Sequence, residues 1–347
     1  MKKITVSAPG KLMLLGEHAV VYGKPCLVTA VNQRMTATVE LTDDKIFQLD
    51  APDVQITNYQ KPITHLGKGE IPKGAKFVEM TVKNFLNRHP ERLAKDLSRM
   101  RPSNKLRDSS ASPQNDNLGI KIVTKSEFSS EFGFGSSSAS TVCVIKALSQ
   151  LTGANLDNKQ IFNLAYKTVL DIQGKGSGFD VAAAIYGGTL YFVSPGKVIQ
   201  PLKINTLPLI VGYSGIKFDT VRIIDEVAQK AKKYPWVIGN VYDQIGQLVE
   251  QAKKAILKED WESLGELMNF NEGYLATLGV EGKKLSRMIY AARDGGAYGA
   301  KLSGAGVGDC MIALHSVQGK QAIKKAITEA GGQVINIKTN AEGVRIE

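Results

Sequence analysis

Residues 131–153, EFGFGSSSASTVCVIKALSQLTG, constrain the fold more than any other stretch of the chain. Gly133 and Gly135 flank Phe134, the serines Ser136, Ser137, Ser138 and Ser140 follow, and the sequence then turns apolar. Serine caps a helix well, but one cap uses one serine. The others need a second purpose. Glycines let the backbone approach a ligand closely, and a helix N-terminus offers unpaired N–H groups carrying about half a unit of positive charge. Together they suit a phosphate, with spare hydroxyls for phosphate oxygens and a bound Mg²⁺. No lysine follows the glycines, so this is not a GxxxxGK(S/T) loop and a nucleotide would sit in another geometry. Taken alone, the stretch reads equally well as a Gly/Ser turn leading into an ordinary capped helix.

Three further stretches tip the balance. SAPGKLMLLGEHAVVYGKP combines a strand, the turn Ala8-Pro9-Gly10, the cation Lys11, and the polar group Gly16, Glu17 and His18 in apolar surroundings. GKGSGFDVAAAIYGG sets Asp180 after a glycine loop, at the start of an alanine-rich run where a buried carboxylate needs a partner. KLSGAGVGDCMIAL is a second glycine loop, with Gly304 and Gly306, between two apolar strands. Each alone could be a tight turn between core elements, and the bland alternatives for Lys11, His18 and Glu17, a surface lysine, a core histidine and a salt-bridge partner, weigh less than a shared site. Their joint occurrence argues for one site.

At 347 residues the chain exceeds what a single core usually organises, so two lobes are expected. Alternating Val, Ile and Thr predicts strands in KKITVSAPG, PCLVTAVNQRMTATVEL, LGIKIVTK and LPLIVGYSG, while three- and four-residue apolar spacing predicts helices over 77–88 and in three segments of the second half. The polar, aperiodic stretch 95–117 reads as a solvated connector, or as a lid over a nucleotide. The division falls near 190–200, giving lobes 1–195 and 196–347 in an α+β protein. Cys26, Cys143 and Cys310 form no CxxC pair, which suits buried free thiols in a reducing cytoplasm. Pro9, Gly10, Lys11 and Glu17 interrupt any signal-like run, and no segment approaches about 18 apolar residues, so no membrane is expected. The net charge of +11 is spread without a run of five basic residues, which points to small anionic ligands rather than nucleic acid.

These motifs resemble the GHMP kinase superfamily, and microbial mevalonate kinases in particular. PGK…GEHAVVYG is similar to the first motif of that family, GFGSSSAS to GLGSSAA, and KLSGAGVGDC to KxTGAGGGGC. LGELMNFNEGYLATLGV and SRMIYAARDGGAYGAKLSGAG extend the likeness over nearly the whole chain apart from 95–117. The resemblance implies a first lobe like domain 2 of ribosomal protein S5, a ferredoxin-like second lobe, and a site between them. It implies transfer of the ATP γ-phosphoryl group to the 5-hydroxyl of mevalonate, with Asp180 and Lys11 catalytic. Gly133, Gly135, Ser136, Ser137, Ser138, Gly304 and Gly306 would hold the nucleotide, Ser137 would ligate Mg²⁺, and Glu17 and His18 would face the substrate. A homodimer is possible.

Two departures leave alternatives open. Where the family carries a glutamate as second Mg²⁺ ligand this chain has Val169, and Asp171 lies about 200° further round an ideal helix. GSGFDVAAAIYGG and the Asp309-Cys310 pair look more like phosphomevalonate kinases, so that kinase, or another metabolite kinase of the superfamily, is the alternative. A catalytically silent binding module is a third, disfavoured by the presence of both Lys11 and Asp180.

Overall fold

The computed structural model describes residues 3–88, 118–205 and 207–347; the connector expected over 95–117 lies wholly outside the described residues. Two sheets organise them. The larger has eight strands, ordered β12-β1-β2-β5-β3-β4 with β6 and β7 branching from β2. Its centre is the pairing of β1 (Lys3–Leu15) with β2 (Pro25–Thr42), which is long enough to pair β6 (Thr189–Val193) along its first half and β5 (Gly119–Ser126) along its second. Strands β3 (Ile46–Ala51) and β4 (Ile56–Pro62) close one edge, and β7 (Val198–Leu202) pairs β6.

The expected turn Ala8-Pro9-Gly10 is instead a β-bulge. Pro9 pairs Arg34 and Gly10 pairs Val31, so β1 shifts register and continues to Leu15. Proline removes one ladder donor, and a bulge is where a strand tolerates that. Gly10 lies in close quarters: a Cβ there would come within 3.2 Å of both Phe134 Cβ and Val31 Cγ2, tighter than ordinary van der Waals contact. The bulge thereby brings Lys11 against the glycine loop.

Helices α1 (Lys76–Arg88), α2 (Ser136–Leu151), α3 (Asn158–Gln173) and α4 (Phe179–Tyr186) accompany the large sheet. The second sheet, β11-β8-β10-β9, is built from β8 (Leu209–Tyr213), β9 (Gly299–Ser303), β10 (Cys310–Leu314) and β11 (Gln333–Ile335), all antiparallel. The chain order strand, helices, strand, strand, helix, strand with this spatial order is the ferredoxin-like arrangement. Its helices are α5 (Thr220–Lys233), α6 (Pro235–Leu257), α7 (Trp261–Leu278), α8 (Lys283–Asp294) and α9 (Lys320–Glu329). Period-two alternation serves two cores: Val211, Ile312 and Leu314 join the core shared with the first lobe, while Ile210, Met311 and Ala313 face the core made with α8 and α9. That explains why CMIAL is apolar at every position.

The boundary expected at 195/196 falls in the turn between β6 and β7, both strands of the large sheet. The second sheet begins only at Leu209, and the chain returns at its end, where β12 (Arg345–Ile346) pairs β1. Arg34 fastens this return: its guanidinium donates to Ser7 Oγ (2.6 Å), Glu342 O (2.9 Å) and Gly343 O (2.8 Å). The first lobe is therefore discontinuous in sequence.

Candidate active site

A cleft of ≈ 780 Å³ runs between the lobes and is lined by residues of all four motif stretches. Two helix N-termini bound it. α2 begins at Gly135 (φ 79°) without a side-chain cap, and α4 begins at Gly178 (φ 88°), again uncapped. Positive φ at both starts is the conformation that glycine adopts without a Cβ penalty. The first-turn N–H groups are thus left to a ligand rather than to a capping hydroxyl.

The serines now have separate purposes. Ser136, Ser137 and Ser140 line the cleft, whereas Ser138 turns away from it and donates to Asp180 Oδ2 at 2.5 Å. Ser140 Oγ also donates to Ser137 O at 3.0 Å. Lys11 Nζ donates to Gly133 O at 2.7 Å and sits 5.4 Å from the centre of the Phe179 ring. Burial pushes its ammonium below the ordinary lysine value, while Asp180 and then Asp309 pull it back up. Lys11, Asp180 and the α2 turn therefore line one cleft.

Gly304 and Gly306 separate. Gly304 opens into the cleft, whereas a Cβ on Gly306 would fall 2.3 Å from Val280 O, so Gly306 serves close packing and is not among the cleft residues. Asp309, at φ 60°, is held by its backbone, donating to Ile216 O (2.7 Å) and accepting from Ser214 N (2.9 Å). Its Oδ1 lies 3.2 Å from Lys217 Nζ, an ion pair without hydrogen-bond geometry, and its Oδ2 accepts from the same ammonium at 3.3 Å.

His18 and Glu17 both line the cleft. His18 adopts φ 59°, rare for a residue with a Cβ, and its Nε2–H donates to Ala305 O at 2.9 Å. Burial holds the imidazole below its ordinary pKa. It is therefore neutral near pH 7, with Nδ1 left as an acceptor. Glu17 forms a fully buried ion pair with Lys301 and accepts from Asn271 Nδ2 at 3.2 Å. Sequence reasoning assigned no role to Lys301, Asn271 or the neighbouring Glu272; the one available signal was a lysine inside GAKLS, a strand with no other charged residue and buried at every position.

Val169 lines the cleft, and Asp171 does not replace it: its carboxylate accepts from Asn84 (2.9 Å) and Lys167 (2.7 Å), toward α1. Among the described residues no group of three or more His, Cys, Asp or Glu side chains could hold a metal ion.

Glu272 carries a consequence for stability. Burial pushes its carboxyl up to about 7 against the opposing pull of Lys301 and the Leu302 N–H, which donates to Oε2 at 2.9 Å. The unfolded chain ionises this group from about 4.5 upward, so the unfolded state gains and stability falls as pH rises toward 7, then levels off. Between pH 5 and pH 8 the wild type should lose about 2–3 kcal/mol more stability than Glu272→Gln, as read by urea unfolding. Parallel losses in both proteins would show that Glu272 is ionised in the fold.

Comparison with known proteins places this architecture. The family model "GHMP kinases N terminal domain" matches residues 100–188, "GHMP kinases C terminal" matches 252–333, and "Galactokinase galactose-binding signature" matches 1–41. Among solved structures, a Listeria innocua protein superposes with a TM-score of 0.81 at 23% identity, covering 100% of this chain and 99% of its own. The Lactococcus lactis galactokinase gives 0.79 at 17%, covering 99% and 95%. The Methanococcus jannaschii mevalonate kinase gives 0.74 at 24%, covering 97% and 98%. Fold and cleft together define an ATP-dependent kinase of the GHMP type that acts on an alcohol. The sequence narrows the class: the mevalonate kinase of Pyrococcus furiosus is 35% identical over 99% of this chain and 98% of its own length, and that of Methanothermobacter thermautotrophicus 32% over 90% of each. The chain belongs to the mevalonate kinase family.

Proposed function

We propose that this kinase transfers the γ-phosphoryl group of ATP to the 5-hydroxyl of mevalonate, with Asp180 as base, in the cytoplasm of its cell. The observation favouring mevalonate over its phosphorylated relative is that the cleft lysines of the GKGSGFD loop and of the second lobe are already paired, whereas Lys73, which forms no ion pair among the described residues, adjoins Gly74 and Phe77 at the apolar part of the cleft. Lys217 is matched by Asp309 and Lys175 by Asp225, while Arg222 pairs Glu226 on α5 and is not among the cleft residues. A second phosphate on the acceptor would have to break one of these pairs. The three cysteines are buried free thiols, in keeping with a reducing compartment, and among the described residues no helix is long and apolar enough to cross a membrane.

An alcohol is a weak nucleophile at neutral pH, so a carboxylate must take its proton as the bond to phosphorus forms. Asp180 is positioned for that by its place in the first turn of α4 and by the Ser138 hydroxyl, which fixes Oδ2 and leaves Oδ1 for the acceptor. The Lys11 ammonium stabilises the charge that accumulates on the transferring group. The uncapped N-terminus of α2 offers its N–H groups to the phosphates. The apolar end of the cleft, at Ala51, Val54 and Phe77, suits the nucleotide base.

The donors present fit a Mg²⁺ carried in by the nucleotide: this ion keeps several waters and needs only one or two protein oxygens beside the phosphates. Ser137 Oγ would supply the protein oxygen, and the ion would neutralise phosphate charge. Ser137→Ala should therefore raise the Mg²⁺ concentration for half-maximal rate by about fivefold or more at fixed ATP, a hydroxyl ligand being worth about 1 kcal/mol. An unchanged Mg²⁺ dependence would move the metal elsewhere.

The function is tested by a coupled ADP-release assay offering mevalonate and 5-phosphomevalonate, with product phosphate position read by ³¹P NMR. Formation of the 5-phosphate from mevalonate supports the reading. Turnover of 5-phosphomevalonate alone would overturn it and make GSGFD and GAGVGDC the better guides to substrate.

A further inference from the structure

Glu17 reaches the cleft from a charged cluster buried in the second lobe. Lys301 on β9 and Glu17 have no exposed side-chain surface (0% each), and the Lys301 ammonium donates both to Glu17 Oε1 and to Leu302 O. Glu17 Oε2 accepts from Asn271 Nδ2 on α7, so both oxygens of the carboxylate are held. Next to Asn271, Glu272 is tied to the Leu302 N–H of the same strand. Every other residue of β9 is Gly, Ala, Leu or Ser, all buried.

Packing alone does not account for this pair. Apolar residues of matching volume usually serve a core as well as a buried ion pair or better, because two charges must be stripped of water. What distinguishes this pair is its position: Glu17 lines the same cleft as Lys11 and Asp180, next in the chain to His18, which is bonded to Ala305 O. A bare carboxylate there would repel any acceptor that itself carries a carboxylate, as mevalonate does.

We propose that Lys301 is a specificity-determining positioning residue: its ammonium cancels the charge of Glu17 and fixes that carboxylate at the acceptor end of the cleft, so that a carboxylate-bearing alcohol is admitted. This rests on the acceptor reading given above. The Glu17–Lys301 pair contributes a net charge of zero in the wild type, −1 in Lys301→Met, and zero again in Glu17→Gln/Lys301→Met, with the contribution of Glu272 common to all three. Lys301→Met should raise KM for mevalonate at least tenfold and leave KM for ATP within threefold, and the double variant should bring the mevalonate KM back down at least fivefold. A purely structural lysine would alter thermal stability and the yield of active enzyme, with no such split and no rescue.

A smaller rise in mevalonate KM, an equal rise for ATP, or a recovery below fivefold overturns the proposal. Should Lys301→Met fail to fold, the double variant decides: less than a tenfold rise in mevalonate KM over wild type supports the assignment, and tenfold or more overturns it. Failure of the acceptor reading is seen separately, as absence of mevalonate turnover by the wild type. The same variants are then read with 5-phosphomevalonate, which carries the same carboxylate.

Discussion

Asp180→Asn should lower kcat by at least about 10²-fold while leaving the affinity for ATP within about twofold, because the amide cannot take a proton and keeps nearly the same shape. The variant is nearly isosteric, and the Ser138 hydroxyl that donates to Oδ2 at 2.5 Å can donate equally to an amide oxygen. The loop should stay in place, and the loss should appear in the chemical step. Single-turnover phosphoryl transfer measured beside equilibrium ATP binding separates the two. Near-normal turnover would remove Asp180 from the mechanism, and weakened ATP binding would make it a structural or metal-binding group instead.

The second large effect is expected at Lys11. Lys11→Met should reduce kcat by about 10²–10³-fold, the range seen when one preorganised charge-stabilising donor is removed from an active site. The side chain is buried against the glycine loop: a Cβ on Gly135 would lie 3.3 Å from its Cγ and Cε, and Asp180 and Asp309 both favour its charged form. Methionine fills the same volume without the ammonium. The pH profile is a second readout. Because burial pushes the Lys11 ammonium below the ordinary 10.5, wild-type activity should fall on the alkaline side before that value as the charge is lost. Lys11→Met should lack this limb. A variant that keeps it would assign the alkaline ionisation to another group.

Much of the site was legible because its signals are local. A helix start that needs positive φ tolerates glycine best, which is why Gly135 and Gly178 mark the N-termini of α2 and α4 in the sequence itself. Lys11, Asp180 and the serine cluster could be named from such turns, and the family resemblance supplied their roles. Proximity alone misled elsewhere. Gly306 has the spacing of a ligand-binding glycine but is required by Val280 O, and Pro9-Gly10 has the chemistry of a turn but forms a bulge within one continuous strand.

By itself the sequence determined that the chain would be a two-lobed α+β protein with a phosphate-binding helix start, a buried cation and a carboxylate at one site. Periodicity, glycine conformations and cap chemistry act within a few residues and survive without a partner. Only the tertiary structure decided which distant groups pair. Glu17 meets Lys301 across 284 positions, Asp309 meets Lys217, Asp171 turns to Asn84 rather than to the cleft, and Arg34 carries the chain's end back to the first lobe. Those contacts depend on strand register and on how the lobes dock, and a buried charge shows its partner only once both have left water.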